Sequence, residues 1–215
     1  MRSILALLFI GFSLPAFAAN DVVDNLEAKH QKIRLDGLTQ CLKDGTKAIQ
    51  GGGDWDNDAC FENIMTFEKK TDDFNDKVSL VSRITATDAT GNIYPIHLSV
   101  TCTDQSILVS VLTKHAYGGQ KSAEVQYRVG KRVAKSITAL QFYGNGYVGF
   151  GLMSPDEINF MRDVAEGGND DVLFKIRADD MTTFTARFDA KNMAGAAADA
   201  LRVCPELQKT QSQNP

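Results

Sequence analysis

From Asn92 to Thr113 the chain reads N-I-Y-P-I-H-L-S-V-T-C-T-D-Q-S-I-L-V-S-V-L-T, a stretch that admits few conformations. Tyr94, Ile96, Leu98, Val100 and Cys102 share one parity while His97, Ser99 and Thr101 take the other. This is the alternation of a strand with one face buried, so Cys102 points inward. Thr103 to Gln105 supplies a turn, and the run that follows is apolar on both parities, with Ile107, Val109 and Val111 set against Leu108 and Leu112. Such a run predicts a strand covered on both faces. The pair reads as a central hairpin around which the remaining elements are arranged.

A cysteine in that core raises the question of compartment. Met1 to Ala18 places Arg2 before an apolar run from Ile4 to Leu14, then Pro15 and Ala16-Phe17-Ala18, the n-region, h-region and A-x-A pattern of a cleaved secretory signal. The run is too short to span a bilayer, and no cysteine flanks the cleavage site, so a periplasmic or secreted chain without membrane anchor is expected. Cys41, Cys60, Cys102 and Cys204 all lie beyond it, and an even count in an exported chain predicts two disulfides. Four cysteines allow three pairings; the reading taken is Cys41 with Cys60 and Cys102 with Cys204. No C-x-x-C is present, which argues against thiol-oxidoreductase chemistry.

Asn20 to Gly45 has helical spacing, with Leu26, His30 and Ile33 on one face and Leu38, Cys41 and Leu42 continuing it beyond Gly37, where a break is expected. His30 reads as an interfacial residue. Lys43 to Asn57, containing G-G-G-D-W-D-N, reads as a flexible loop, with Trp55 as a lid on the core. A second helix is expected from Asp58, presenting Cys60, Phe61, Ile64, Met65 and Phe67. Segment 19–76 would thus be a helical hairpin stapled by Cys41–Cys60. The carboxylates at Asp54, Asp56 and Asp58 resemble the opening of an EF-hand loop, but Ala59 and Met65 stand where the turn glycine and the bidentate glutamate belong, so no metal is expected.

Strands dominate 77–204. Val78 to Thr87 alternates, Ala89 to Asn92 reads as a turn, and Lys114 to Lys121 as a polar loop. Further strands are marked by Val125-Tyr127-Val129, Ile137 to Tyr143, Val148 to Met153, Val172-Phe174-Ile176 and Phe184-Ala186-Phe188, the last two joined at Asp179-Asp180. No β-α-β rhythm occurs, so pairing should be antiparallel. Ser154-Pro155-Asp156-Glu157 reads as N-cap, N1 proline and N3 glutamate of a helix that stops at Gly167. Asp189 is expected to cap a final helix in which Met193, Ala197, Ala200, Leu201 and Cys204 share a face. Pro205 should end it, leaving 205–215 as a disordered tail.

Chemistry is sparse. Gly144, Gly146 and Gly149 match a dinucleotide fingerprint in letters, yet a strand follows where the phosphate-binding helix should start, so they read as turn glycines and no cofactor is expected. Metalloprotease, nucleophile-elbow and P-loop motifs are missing. With 23 basic and 27 acidic side chains, a net charge of −4, the chain lacks the positive balance of a nucleic-acid binder. Candidate interaction residues are His97 on the polar parity of its strand, His115 and Tyr117 in the Lys114 to Lys121 loop, and Arg128, Lys131 and Arg132 in a basic segment with Lys135.

Several short motifs together resemble the VasI/TagO-like accessory proteins associated with type VI secretion. They are Gln40-Cys41, D-A-C-F at Asp58 to Phe61, L-S-V-T-C at Leu98 to Cys102, V-Q-Y-R-V at Val125 to Val129, and F-D-x-x-x-M-A-x-A with L-R-V-C between Phe188 and Cys204. The resemblance spans Leu38 to Cys204 and implies an extracytoplasmic, β-sandwich-like accessory domain without catalytic residues. The whole reading is an α+β protein: an antiparallel β-sandwich-like domain with a disulfide-stapled N-terminal helical hairpin and a C-terminal helix packed on the sheet. Its expected role is that of an accessory or binding protein of the bacterial envelope, its partner another envelope or secreted protein. Two other readings are an inhibitor or immunity-type protein acting through the Lys114 to Lys121 loop, and a small hydrolase using His97 and His115 with an acid such as Asp104.

Overall fold

The computed structural model describes residues 17–51, 64–72, 77–103, 106–114, 122–144, 146–177 and 182–211. Within them the chain is α+β, with ten strands in one antiparallel sheet. The order is β1-β2-β4-β5-β8-β7-β6-β9-β10-β3, formed by Glu68–Thr71 (β1), Val78–Thr85 (β2), Asp88–Thr90 (β3), Ile96–Cys102 (β4), Ile107–Thr113 (β5), Ser122–Val129 (β6), Lys135–Gly144 (β7), Tyr147–Leu152 (β8), Val172–Arg177 (β9) and Thr183–Phe188 (β10). The helices are α1 (Phe17–Gln50), α2 (Asp156–Gly167) and α3 (Met193–Gln211).

The sheet curls on itself, and the short link from β2 to β3 shows how. Ala86 N–H still donates to Ile96 of β4 (2.8 Å), whereas Thr87 N–H donates to Arg187 of β10 (2.8 Å), so the chain passes from one end of the sheet to the other in two residues. β3 therefore takes the first two residues of the expected turn at Ala89 to Asn92, and Gly91, with a φ of 78°, still turns the chain after it. Inward residues of β4, β5, β6, β8, β9 and β10 fill the concave side, where Phe150 and Phe184 meet at 5.7 Å although three strands separate β8 from β10. Alternate positions such as Val172, Phe174 and Ile176 are buried, as their period of two requires.

Helices α2 and α3 pack against each other; α2 also touches β5 and β6, and α3 touches β4. Ala196, Ala197 and Ala200 are buried on α3, where small side chains permit close approach. Cys102, at the end of β4, is disulfide-bonded to Cys204 of α3 with Cα atoms 5.4 Å apart, which pins this helix to the central hairpin.

The N-terminal expectations need correction. α1 runs without interruption to Gln50, so the loop expected from Lys43 begins as helix. Gly37 does not break it: a Cβ there would collide with Ile64, and the glycine lets that side chain approach. Ile64 to Phe67 are not helical either. Ile64 bridges Lys191, Met65 N–H donates to Lys191 (2.9 Å), Met65 and Phe67 are buried, and β1 follows. Their i, i+2 spacing is that of an extended chain, and it adds an edge strand to the same sheet. Cys41 is disulfide-bonded; Cys60, Asp54 to Asp58 and Trp55 lie outside the described residues, as do Asp179, Asp180 and the segment 1–16.

At the other helices, α2 begins at Asp156, and Ser154 makes no capping hydrogen bond. Asp156 N–H instead donates to Met153 (2.6 Å). Asp189 does not cap α3, which starts at Met193 after Asn192 takes a φ of 64°. The helix also continues through Pro205 to Gln211, so residues 205–211 of the expected tail are helical.

Candidate functional site

The face of the sheet turned away from the core is built in three cross-strand rows. One runs Thr85, His97, Leu112, Gly149, Phe142; the next Arg83, Ser99, Ser110, Gly151, Leu140; the third Val81, Thr101, Leu108. Because parity is fixed by register, all of these side chains emerge on one surface. The middle row has a floor of Ser99, Ser110 and Gly151. Over it the ring of Phe142 covers Gly149, where any Cβ would collide with it. The result is an apolar groove of about 700 Å³ with Leu108, Leu112, Leu140 and Phe142 among its lining.

Leu108, Leu140 and Phe142 are 51%, 48% and 44% exposed. The expectation that β5 would be covered on both faces thus fails at Leu108: the core covers one face, and among the described residues the other stays open. Isolated exposed apolar side chains are ordinary, but three around one groove form a patch of the kind that marks a binding surface.

At one end of the groove stands a polar cluster. His97 Nδ1 is 3.1 Å from Thr85 Oγ1, and its ring meets Tyr147 edge-on at 5.9 Å. Arg83 Cζ and Lys114 Nζ lie 5.5 and 5.7 Å from the Tyr147 ring centroid, within cation–π range. Burial pushes the His97 imidazole below its ordinary pKa, and the positive charges of Arg83 and Lys114 push it further the same way. A neutral imidazole beside two cations results. Asp104, His115 and Tyr117 fall outside the described residues, so only His97 of the expected hydrolytic group can be placed.

The basic segment divides. Arg128 and Lys131 are exposed. Arg132 donates instead to the carbonyls of Asp163 (3.3 Å) and Glu166 (2.8 Å) near the C-terminal end of α2, and Lys135 pairs with Asp163 at 2.6 Å. Tyr127 O–H, buried, donates to the same carboxylate at 2.7 Å. Burial alone would raise the Asp163 pKa, but the hydrogen bonds from Lys135 and Tyr127 and the charges of Lys135 and Arg132 hold it low. Arg132 and Lys135 therefore fasten α2 to the sheet.

His30 is indeed interfacial. It is fully buried, accepts the Phe67 N–H at Nδ1 (3.3 Å) and faces Asp199 Oδ2 with Nε2 (3.1 Å), so the proton belongs on Nε2. Lys29 (2.5 Å) and Arg202 (3.4 Å) complete the shell of Asp199. This cluster joins α1 to α3 and to the segment before β1.

Among the described residues no group of three or more His, Cys, Asp or Glu side chains could hold a metal ion, and no helix is long and apolar enough to cross a membrane. Gly144 and Gly146 flank the β7–β8 turn, Gly146 with a φ of 75°, and Gly149 lies beneath Phe142. Strand β8 follows that turn, so the fingerprint glycines do not introduce a helix here. No protein-family model and no curated protein matches the chain.

Sequence reasoning found His97 through its parity but missed Arg83, Tyr147, Leu140 and Phe142. Two signals pointed to the groove: Leu108 as an outward apolar residue, and the alternating glycines Gly149 and Gly151, which in a strand mark close approach from above.

Proposed function

We propose that this protein is an exported accessory protein of the bacterial cell envelope that acts by binding another envelope or secreted protein through the outer face of β2, β4, β5, β8 and β7. The single observation carrying this reading is the open apolar groove, on a sheet whose concave face is otherwise densely packed. Export is supported by the secretory pattern of Met1 to Ala18 and by the Cys102–Cys204 disulfide, which an oxidising compartment maintains. The motifs shared with the VasI/TagO-like proteins support an accessory role and point to type VI secretion as the setting.

The test is site-specific photo-crosslinking in cells. A photoreactive amino acid at Leu108 or Leu140 should give a discrete, reproducible adduct that the same probe at Arg128, exposed elsewhere on the sheet, does not. Equal labelling from all three positions, or none from the groove, would count against the reading. Identification of the adduct as a secretion-apparatus component would place the protein in that system.

A further inference from the structure

Resting on the reading of this face as the binding surface, we infer the chemistry of its partner: a polypeptide segment that seats a bulky apolar side chain among Leu108, Leu140 and Phe142 and carries a carboxylate that meets Arg83 and Lys114. The apolar half follows from the groove. The acidic half follows from what surrounds it.

Arg83 and Lys114 approach Tyr147 from its ring, which leaves their N–H groups as donors. Among the described residues neither is paired with a carboxylate, although Arg34, Lys69, Lys135 and Arg187 all are. The third row continues past Val81 to Glu68 of β1, whose carboxylate is already held by Arg34 (2.6 Å) and Lys70 (3.4 Å); the other positions of the three rows carry no Asp or Glu. In a chain of net charge −4, this end of the groove is a local reversal of sign. A carboxylate docking there meets two cations without displacing an existing ion pair, while a basic segment meets repulsion.

Register sets the spacing. Lys114 directly follows β5, two residues beyond Leu112, about 7 Å, and four beyond Ser110, about 14 Å. Anchor and carboxylate therefore fit about five to nine residues apart on one face of a helix, or about two to four apart on a strand. Charge also argues against a second copy of this same face. Stacking two such faces brings four cations together, and the acid each face carries, Glu68, is already paired with Arg34 and Lys70.

The test uses a random peptide library displayed on phage and selected against the oxidised mature protein. Recovered peptides are then titrated by fluorescence anisotropy against wild type, Leu140→Asp, Leu108→Asp and the double variant Arg83→Glu/Lys114→Glu. Recovered sequences should pair an aromatic or large aliphatic residue with Asp or Glu at the stated spacing. The double variant should weaken their binding about tenfold or more, with weaker binding at higher salt, and either groove variant should abolish it. All four substituted side chains are at the surface, and matching thermal melts identify the variants that fold; Leu108→Asp replaces Leu140→Asp if the latter does not.

Peptides without acidic enrichment, unchanged affinity in the double variant, or no peptide sensitive to the groove variants would overturn the inference. So would a concentration-dependent dimer in sedimentation that Leu140→Asp dissociates, since the occupant would then be a second copy. The two readings fail differently. Groove crosslinks in cells combined with non-acidic peptides would refute the partner chemistry alone, whereas absence of groove crosslinks would remove the binding face itself.

Discussion

His30 and His97 are the same residue in opposite surroundings. Burial lowers the pKa of both. At His30 the next influence is Asp199, whose hydrogen bond and charge favour the proton, and both ring nitrogens have partners within the fold. At His97 the next influences are Arg83 and Lys114, which disfavour the proton further. The first cluster carries its own carboxylate and is closed; the second has cations, an aromatic ring and an apolar groove beside it, and the nearby Glu68 is taken by Arg34 and Lys70. A closed cluster joins elements of the fold, whereas an open one leaves its charges available to another molecule.

The largest expected effect comes from loosening the helix that brings Asp199 to His30. Cys102–Cys204 closes a loop with a sequence separation of 102 residues, for which chain entropy gives about 4–5 kcal/mol. Cys102→Ser should lower the unfolding free energy of the oxidised protein by that order in urea titration, and should speed hydrogen exchange along α3 more than in β5 or β8. A variant as stable as the parent would show that α3 is held by packing alone. Next in size is Asp199→Ala, which strands His30 and Lys29 beside a buried void. A loss of about 3 kcal/mol is expected, with Asp199→Asn retaining part of it by still accepting the His30 hydrogen bond. Equal losses for both variants would mean that charge, and not hydrogen bonding, dominates the closed cluster.

How much of this contrast can be read from sequence depends on whether the contacts are local. The alternation in Leu98, Val100 and Cys102, or in Phe184, Ala186 and Phe188, is dictated by a period of two and is legible directly. The Cys102 to Cys204 pairing is less legible: parity turns Cys102 inward, but four cysteines admit three pairings, and it is the packing of α3 on β4 that brings these two together. Gly37 is misleading, since its low helix propensity is outweighed by the packing of Ile64 against the helix it interrupts on paper. Met65 and Phe67 look helical only if Cys60 and Phe61 are counted with them; their own spacing is that of a strand. The groove is hardest to foresee because β5 pairs with β8, skipping two strands, so Leu108 and Phe142 line one groove through a register that no local pattern encodes.

Substitutions on the open face should separate stability from binding. Leu108→Asp and Leu140→Asp change side chains about half exposed, and a shift within about 0.5 kcal/mol is expected in chemical denaturation. Partner crosslinking should nevertheless be lost. A stability loss as large as that of Asp199→Ala would mean that this face is structural, and the contrast between the two clusters would collapse.

The smallest effect is the sharpest comparison, because it is read at the two imidazoles themselves. Both folded-state pKa values lie below the unfolded reference of 6.5, so below that pH the unfolded chain binds more protons than the folded one. Stability therefore rises with pH in this region and is lost as pH falls through 6.5 toward the folded values. Arg83 and Lys114 flank His97 at its exposed end, with Tyr147 and Thr85 uncharged beside it; His30 is enclosed by Phe67, Asp199 and Lys29. Added salt screens exposed charges more than buried pairs. NMR titration of the imidazole protons should show the His97 midpoint rising with salt and rising again in Arg83→Ala/Lys114→Ala, while that of His30 stays nearly constant. Binding of an acidic peptide should raise the His97 midpoint as well, since a carboxylate beside Arg83 and Lys114 offsets their field. Parallel movement of both midpoints would instead trace them to a shared change in burial, and the cations would lose their assigned part in the open cluster.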